Sequence, residues 1–315
     1  MNLASIVIST RNRKEELARA VSSALRQKGN VEVLVMDDGS TDGTCEMLER
    51  RFPRVLRHRT ERNLGYIEQR NRGADLARGD IIISLDDDAE FSDDTTVGQA
   101  MADFDNPFVG AVAMPYVDVK YGPAVIQRAP SDDTAWVTSE YRGTAHALRR
   151  DIFVRLGGYH SYLFRQGEEA DYCQRMLDAG YVVRLGRSTP IRHNESPKRD
   201  PTLIIQYAAR SKILCAWYSV PVTFLPVHLA GTSAVVLCKD CRRGYRWAGI
   251  KGLLVGYCAL LHELPKRQPV RWGSYRLFRS LRKKGPWRFS AVEALVAGLR
   301  ASARVALAAS PEQAA

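Results

Sequence analysis

The stretch DIIISLDDDAEF, residues 80–91, sets an apolar run, Ile81 to Ile83, almost directly against three adjacent carboxylates, Asp86, Asp87 and Asp88. A short apolar run bounded by polar residues reads as a buried strand. Like charges crowded at the end of a strand repel one another unless something holds them there. Asp86 and Asp88 point the same way on an extended backbone, and Asp87 points away. An Asp-x-Asp pair offers hard oxygen ligands, suited to Mg2+ or Mn2+ bound together with a phosphate. The same residues also read as a solvated turn that caps the next element.

Working upstream, strand and helix patterns alternate. ASIVIST (4–10), VEVLVM (31–36) and RVLRHR (54–59) read as strands ahead of the one at 80–85. Between them lie helical patterns at 13–27, where Leu17, Ala20, Val21, Ala24 and Leu25 recur at helical spacing, at 45–51 and at 65–77. Strands separated by helices imply an α/β fold with a parallel sheet and helices on both faces. Ligands of such sheets bind outside the carboxyl ends of the strands. That rule places STRNR, DDGS and DDDAE on one rim. Asp37 and Asp38 in the turn DDGSTDGT suit a base or ribose, although a plain Asx turn has the same composition. Arg11, Arg13 and Arg70 are available for phosphate charge, or are ordinary surface charges.

The chain has 315 residues, 45% hydrophobic and 26% charged, with a formal charge of +11. The charge is uneven: residues 1–200 hold 28 basic and 31 acidic side chains, residues 201–315 hold 18 and 4. A near-neutral body with a basic tail points to an anionic partner, a membrane surface or nucleic acid. No motif of nucleic-acid recognition is present, so the membrane is the expected partner. The six scattered cysteines form no dense disulfide framework, and the N-terminus shows no signal pattern, which together lead us to expect the cytoplasm. Residues 213–238 contain no Asp, Glu, Lys or Arg and are long enough to cross a bilayer, but Pro221 and Pro226 argue for broken or interfacial helices.

Four segments, SIVISTRNR, VLVMDDGSTDGT, NLGYIEQRNRGADLARGDIIISLDDDAEF and GGYHSYLFRQGEEADYCQRMLDAGY, resemble family-2 glycosyltransferases of the GT-A fold in order and spacing, over about residues 4–195. The resemblance implies a Rossmann-like, mostly parallel sheet with flanking helices, a nucleotide-diphosphate sugar donor, a divalent metal, Mn2+ or Mg2+, and inversion at the anomeric carbon. Carried over residue by residue, Thr10, Arg11 and Asn12 would line the nucleotide pocket. Asp38, with Asp37, would contact the base, and Arg70 would lie close by. Asp86 and Asp88 would hold the metal, and Asp86 or Asp87 would touch the ribose. The family's catalytic base lies in a Glu-Asp pair followed by a second Asp. Here the pair is Glu168-Glu169, with Asp171 kept, so Glu169 is one methylene longer than usual. From the residues alone, acids at 168–171 also suit the N-terminus of a helix. His193 reads alone as a structural histidine; the resemblance allows it to complete the metal shell, with Lys198 and Arg199 as weaker grips on the diphosphate.

Two regions are therefore expected: a catalytic domain at 1–200 and a basic, mainly helical extension at 201–315. Residues 201–219 read as a helix, and 239–288 hold 14 basic side chains against Asp240 and Glu263, interleaved with aromatics such as Trp247, Trp272 and Trp287. That mixture suits an anionic membrane surface, and similar tails in the family accompany work on lipid-linked or cell-envelope glycans. Cys238-x2-Cys241 with Cys258-x3-His262 has spacings that a zinc site could use, against ordinary packing of thiols. The acceptor is expected at segment 117–142, including Trp136 and Tyr141. One rival, a sugar nucleotidyltransferase, should carry a Gly-rich loop after its first strand, and STRNRKEE has no glycine. A catalytically silent membrane protein of the same fold is the other.

Overall fold

The computed structural model describes residues 3–195, 200–263 and 267–308. Strands β1 (Ala4–Thr10), β2 (Val31–Asp37), β3 (Leu56–Arg59) and β4 (Ile81–Asp86) alternate with helices α1 (Lys14–Leu25), α2 (Thr44–Arg51) and α3 (Tyr66–Leu76). β3, β2, β1 and β4 lie side by side and parallel. β1 and β4 are apolar on both faces and almost wholly buried, as expected where helices cover both sides of a sheet. Their carboxyl ends form the rim that the sequence implied.

Past β4 the sheet turns mixed. β5 (Ala89–Phe91), α4 (Thr96–Ala102), β6 (Val109–Ala113), β7 (Tyr116–Asp118), β8 (Val125–Ile126), β9 (Trp136–Thr138), β10 (Ala145–Arg149), α5 (Arg150–Arg155), α6 (Glu168–Asp178), β11 (Val182–Leu185) and β12 (Ile191–His193) follow. β10 runs antiparallel between β4 and β6, with Ala145 opposite Leu85. β11 pairs parallel with β6 and antiparallel with β9. A second, four-stranded sheet, β5-β12-β7-β8, stands beside the rim.

The chain beyond residue 200 is helical: α7 (Pro201–Ser219), α8 (Leu225–Arg242), α9 (Arg246–Glu263), α10 (Trp272–Lys284) and α11 (Glu293–Ala308). Asp200 caps α7 through the amides of Thr202 and Leu203, and Pro201 sits in the first turn, where its missing N–H costs nothing. Pro221 and Pro226 fall where α7 stops and α8 begins, so the apolar run is broken into two helices. Among the described residues, no helix is long and apolar enough to cross a membrane. α9 packs tightly on α7: a Cβ at Gly252 would lie 2.3 Å from the Gln206 carbonyl oxygen, and one at Gly256 3.0 Å from Ile213 Cβ.

This part is not a loose tail. Leu277, Phe278, Leu281, Phe289, Val292 and Val296 join the same buried cluster as the strands. A final strand, β13 (Trp287–Arg288), pairs with β9 and completes a nine-stranded sheet of order β13-β9-β11-β6-β10-β4-β1-β2-β3. The boundary expected at residue 200 is thus the start of a helix whose successors return to the first core.

Candidate active site

A cleft of about 1860 Å³ opens at the carboxyl rim, walled on one side by β1, β4 and α6 and on the other by α7, α8 and α10. Asp86, the last residue of β4, and Asp87 line it, and Asp88 is buried just behind them. Two arginines make their crowding tolerable. Arg13 Nη1 donates to Asp87 Oδ1 at 2.8 Å and to Asp88 Oδ2 at 3.0 Å. Arg70 Nη2 donates to Asp86 Oδ1 at 2.7 Å. Asp87 also accepts from the Thr10 hydroxyl at 2.8 Å. Burial pushes the Asp87 carboxyl up to about 7, against the pull of Arg13 and with the push of Asp88.

Asp86, Asp88 and His193 bring one ligand atom each within 4.8 Å of one another, the one such group of three or more among the described residues. His193 comes from β12, whose register puts it opposite Asp118 of β7. Its Nδ1 lies 3.3 Å from Asp118 Oδ2, and its Nε2 3.4 Å from Asp88 Oδ1. A carboxylate on the far ring nitrogen is the usual way of orienting a metal-binding imidazole. Two hard oxygens and one imidazole fit Mn2+ or Mg2+ by donor chemistry.

The second acidic group sits at the N-terminus of α6. Glu168 is buried, and its Oε1 lies 3.3 Å from Arg70 Nη1. Arg70 therefore ties the two acidic clusters together, and its Nη2 also reaches the Gly143 carbonyl at 3.0 Å. Burial alone would lower the Arg70 guanidinium, but Asp86 and Glu168 outweigh it and hold it above its ordinary value. Glu169 is half-buried on the cleft wall. Burial and the neighbouring Glu168 charge push its carboxyl well above the usual range, with Arg70 opposing. Gly143 makes room for it: a Cβ there would lie 2.4 Å from Glu169 Oε1 and 3.2 Å from Arg70 Nη1.

Not every expected residue faces the cleft. Asp171 is turned away and buried, accepting from Arg175 at 2.9 and 3.0 Å and lying 2.9 Å from His160 Nδ1. Burial would raise its carboxyl, yet Arg175 and His160 hold it below the ordinary range. Asp37 is likewise folded into its own turn, where Oδ1 accepts from the Ser40 amide at 3.0 Å. Asp38 does line the cleft, but its carboxylate accepts from the amides of Leu64 and Gly65 and from Gln69 at 2.7–2.9 Å, which anchors the loop before α3. Thr10, Arg11 and Asn12 all line the cleft. Asn12, in the left-handed conformation at φ 54°, accepts from the Thr41 amide and so joins the first two rim loops. Trp136 is elsewhere: it belongs to β9, donates to Ser131 and stacks under Arg288. Tyr141 belongs to the wall but is buried, stacked on His146 with its hydroxyl 2.8 Å from that of Tyr159. Lys198 and Arg199 lie outside the described residues. Cys238, Cys241, Cys258 and His262 do not come together with metal-ligand geometry among the described residues. Asp118 and Glu140 fall inside the segment expected to read the acceptor but carry no motif of their own, and Gly143 lies just past it; each reaches the site through strand register or chain crossing.

The model of the family described as glycosyl transferase family 2 matches residues 5–166, which span β1 to the loop before α6. The chain belongs to glycosyl transferase family 2. An uncharacterized glycosyltransferase of Haemophilus influenzae is 27% identical over 186 residues, 55% of this chain and 61% of its own length. A glucosyl-dolichyl phosphate glucuronosyltransferase of Haloferax volcanii is 26% identical over 219 residues, 60% of this chain and 68% of its own. An O-antigen biosynthesis protein of Myxococcus xanthus is 25% identical over 62% of this chain, but only 17% of its own length is covered. Among solved structures, a mannosyltransferase of Pyrobaculum calidifontis in complex with GDP-Man and Mn2+ superposes with a TM-score of 0.57 at 18% identity, covering 96% of this chain and 86% of that one. The likeness at that identity shows the GT-A fold.

Proposed function

We propose that this protein transfers a sugar from a nucleoside-diphosphate donor to an acceptor hydroxyl, with inversion and with a divalent metal. The convergence of Asp86, Asp88 and His193 on one side of Arg70 and Glu168-Glu169 on the other carries the reading. When bound, Mn2+ or Mg2+ would supply positive charge for the departing diphosphate. Thr10, Asn12 and Asp38 shape the nucleotide end, and Arg11 stands exposed beside it.

Glu169 is the base. It faces the cleft, and its raised carboxyl is a stronger proton acceptor than an ordinary glutamate. The acceptor oxygen bonds to the anomeric carbon as the bond from that carbon to the diphosphate oxygen breaks. The bonding pair leaves on the nucleoside diphosphate, and the hydroxyl proton passes to Glu169. Attack opposite the leaving group inverts the centre. Arg70 holds Glu168 and Asp86 at a fixed separation, so the base and the donor end keep their geometry.

The apolar, basic face of α8 and α9 supports docking on an anionic membrane surface. Val227 on α8 and Trp247 and Leu261 on α9 are 73–77% exposed, and Lys239, Arg242, Arg243 and Arg246 cluster where α8 gives way to α9, next to Trp247. Relatives named for O-antigen and dolichyl-phosphate glycan synthesis agree with cell-envelope or lipid-linked acceptors. Thermal melting of the full chain with a panel of nucleoside diphosphates, each with Mn2+, Mg2+ or chelator, tests the donor reading. One nucleotide should raise the melting temperature only with metal, because only ligands of the folded state do so. A panel with no shift at all would overturn the reading.

A further inference from the structure

At about 1860 Å³ the cleft is larger than the roughly 300–1,000 Å³ of an ordinary small-molecule site. Beyond Glu169 it continues between α7, α8 and α10 as a limb with two kinds of lining. Part of the lining is apolar: Ile204, Ala208, Phe224, Val227 and Val235. Part is cationic: Lys212, one turn past Ala208 on the same face of α7, and Arg276, Arg279 and Arg282 from successive turns of α10.

Those cations are poorly compensated. Among the described residues, Lys212, Arg276 and Arg279 form no ion pair, and Arg282 has only Glu140, at 3.6 Å. Lys212 itself and His228 register the resulting positive field. Burial lowers the Lys212 ammonium, and Lys239 and Arg282 lower it further, with Asp240 opposing. Burial brings the His228 imidazole down to about 4, with Arg279 and Arg282 adding to the fall. Concentrated like charge beside an apolar wall is costly unless an anion completes it. The limb also joins the chemistry at a definite place, since Glu140, the partner of Arg282, is one of the charges acting on Glu169. At its other end it opens over Val227 and Val235, which are 77% and 61% exposed on α8.

Resting on the transferase reading above, we infer that this limb receives the acceptor as an amphiphile: a sugar joined through a phosphate or diphosphate to an apolar chain. The sugar hydroxyl stands at Glu169, the phosphate lies on Lys212, Arg276, Arg279 and Arg282, and the chain passes over Phe224 and Val227 to the exposed face of α8. α10 sets the order along the cleft: Arg282 at one end pairs with Glu140, near Glu169, and Tyr275 toward the other end bonds His228 of α8, next to the exposed Val227. Base, cations and apolar mouth thus follow one another as the groups of such a molecule do.

Binding of farnesyl phosphate to the full chain, followed by tryptophan fluorescence, tests the inference, with farnesol and inorganic phosphate as partial probes. Farnesyl phosphate should bind at least tenfold more tightly than either fragment. The double substitution Arg276→Ala with Arg279→Ala, at two exposed positions, should weaken it about tenfold while the nucleotide- and metal-dependent melting shift stays at its wild-type size. Equal affinity of the double variant and the wild type, or equal affinity for farnesol, would overturn the inference. So would a double variant that keeps farnesyl phosphate but loses phosphatidylglycerol vesicles, since the arginines would then serve the bilayer surface. A wild type that binds farnesyl phosphate but shows no shift with any nucleotide would support the limb while removing the donor reading.

Discussion

Asp86, Asp87 and Asp88 end a strand, whereas Glu168, Glu169 and Asp171 open a helix, yet in each cluster two acids line the cleft and the third is buried off it, Asp88 in the first and Asp171 in the second. The clusters differ in how their buried acids are held. Burial, with the charge of Asp88 adding to it, pushes the Asp87 carboxyl up to about 7, although Arg13, which Asp87 shares with Asp88, pulls the other way. Asp171 is set by the helix on the opposite face from Glu169 and has Arg175 and His160 to itself, so its carboxyl falls below the ordinary range. A strand end crowds its acids; a helical turn separates them. The first arrangement suits a site that awaits a cation, and the second suits a structural bond.

The sharpest way to break this comparison is Asp88→Ala. Loss of a carboxylate from the Asp86, Asp88 and His193 group should reduce transfer by roughly 10³-fold, with the fold retained by circular dichroism. A folded variant with near-full activity would remove the metal assignment. Asp171→Ala should act oppositely, leaving a largely buried Arg175 with the Leu156 and Gly158 carbonyls but no carboxylate, at a cost of about 3 kcal/mol of stability. Denaturant melting should show that loss, while activity per folded molecule stays within a few-fold. Glu169→Gln should lower the turnover number by about 10²-fold or more without weakening donor binding, and should flatten the acidic limb of the pH–rate profile. Equal losses from Glu168→Gln and Glu169→Gln would show that the pair acts as one unit. Gly143→Ala should cost about tenfold in activity and little stability, because the new methyl meets the flexible end of Glu169 rather than backbone.

The smallest effect is one of sign. A carboxyl raised in the folded state, as Asp87 is, takes stability away as pH climbs from about 4, its unfolded value, to about 7. A lowered one, as Asp171 is, gives stability that is present above its unfolded value and lost as pH falls through its folded one. Asp87→Asn should therefore gain stability relative to wild type across pH 4–7. Asp171→Asn should lose least at acid pH. Parallel pH curves for the two variants would show that the clusters are held alike.

Much of this was legible beforehand. α7 occupies the expected residues 201–219, and α2 begins one residue before the expected start. β1, β2 and β4 are short apolar runs, and a helix lies between each two successive strands from β1 to β4, so the local pattern already implies parallel pairing and the rim. The second half of the sheet was not legible. β10 enters antiparallel between β4 and β6, and β13 arrives from the far end of the chain, and neither leaves a local periodicity that names its neighbour. Asp118 and Gly143 reach the cleft for the same reason, and Trp136 does not line it, because strand register puts β9 between β11 and the edge strand β13.

What the sequence determined by itself is which chemical groups are near one another along the chain: acids after an apolar run, acids at a helix start, cations past residue 201. Hydrophobic periodicity and charge order are local properties, and local properties survive reading in one dimension. Only the tertiary structure decided which acid of each cluster faces the cleft, that Arg70 bridges the two clusters, and that the basic extension is one wall of the same cavity. Those facts depend on distances between elements far apart in the chain, which burial of the shared core sets and no spacing in the sequence encodes.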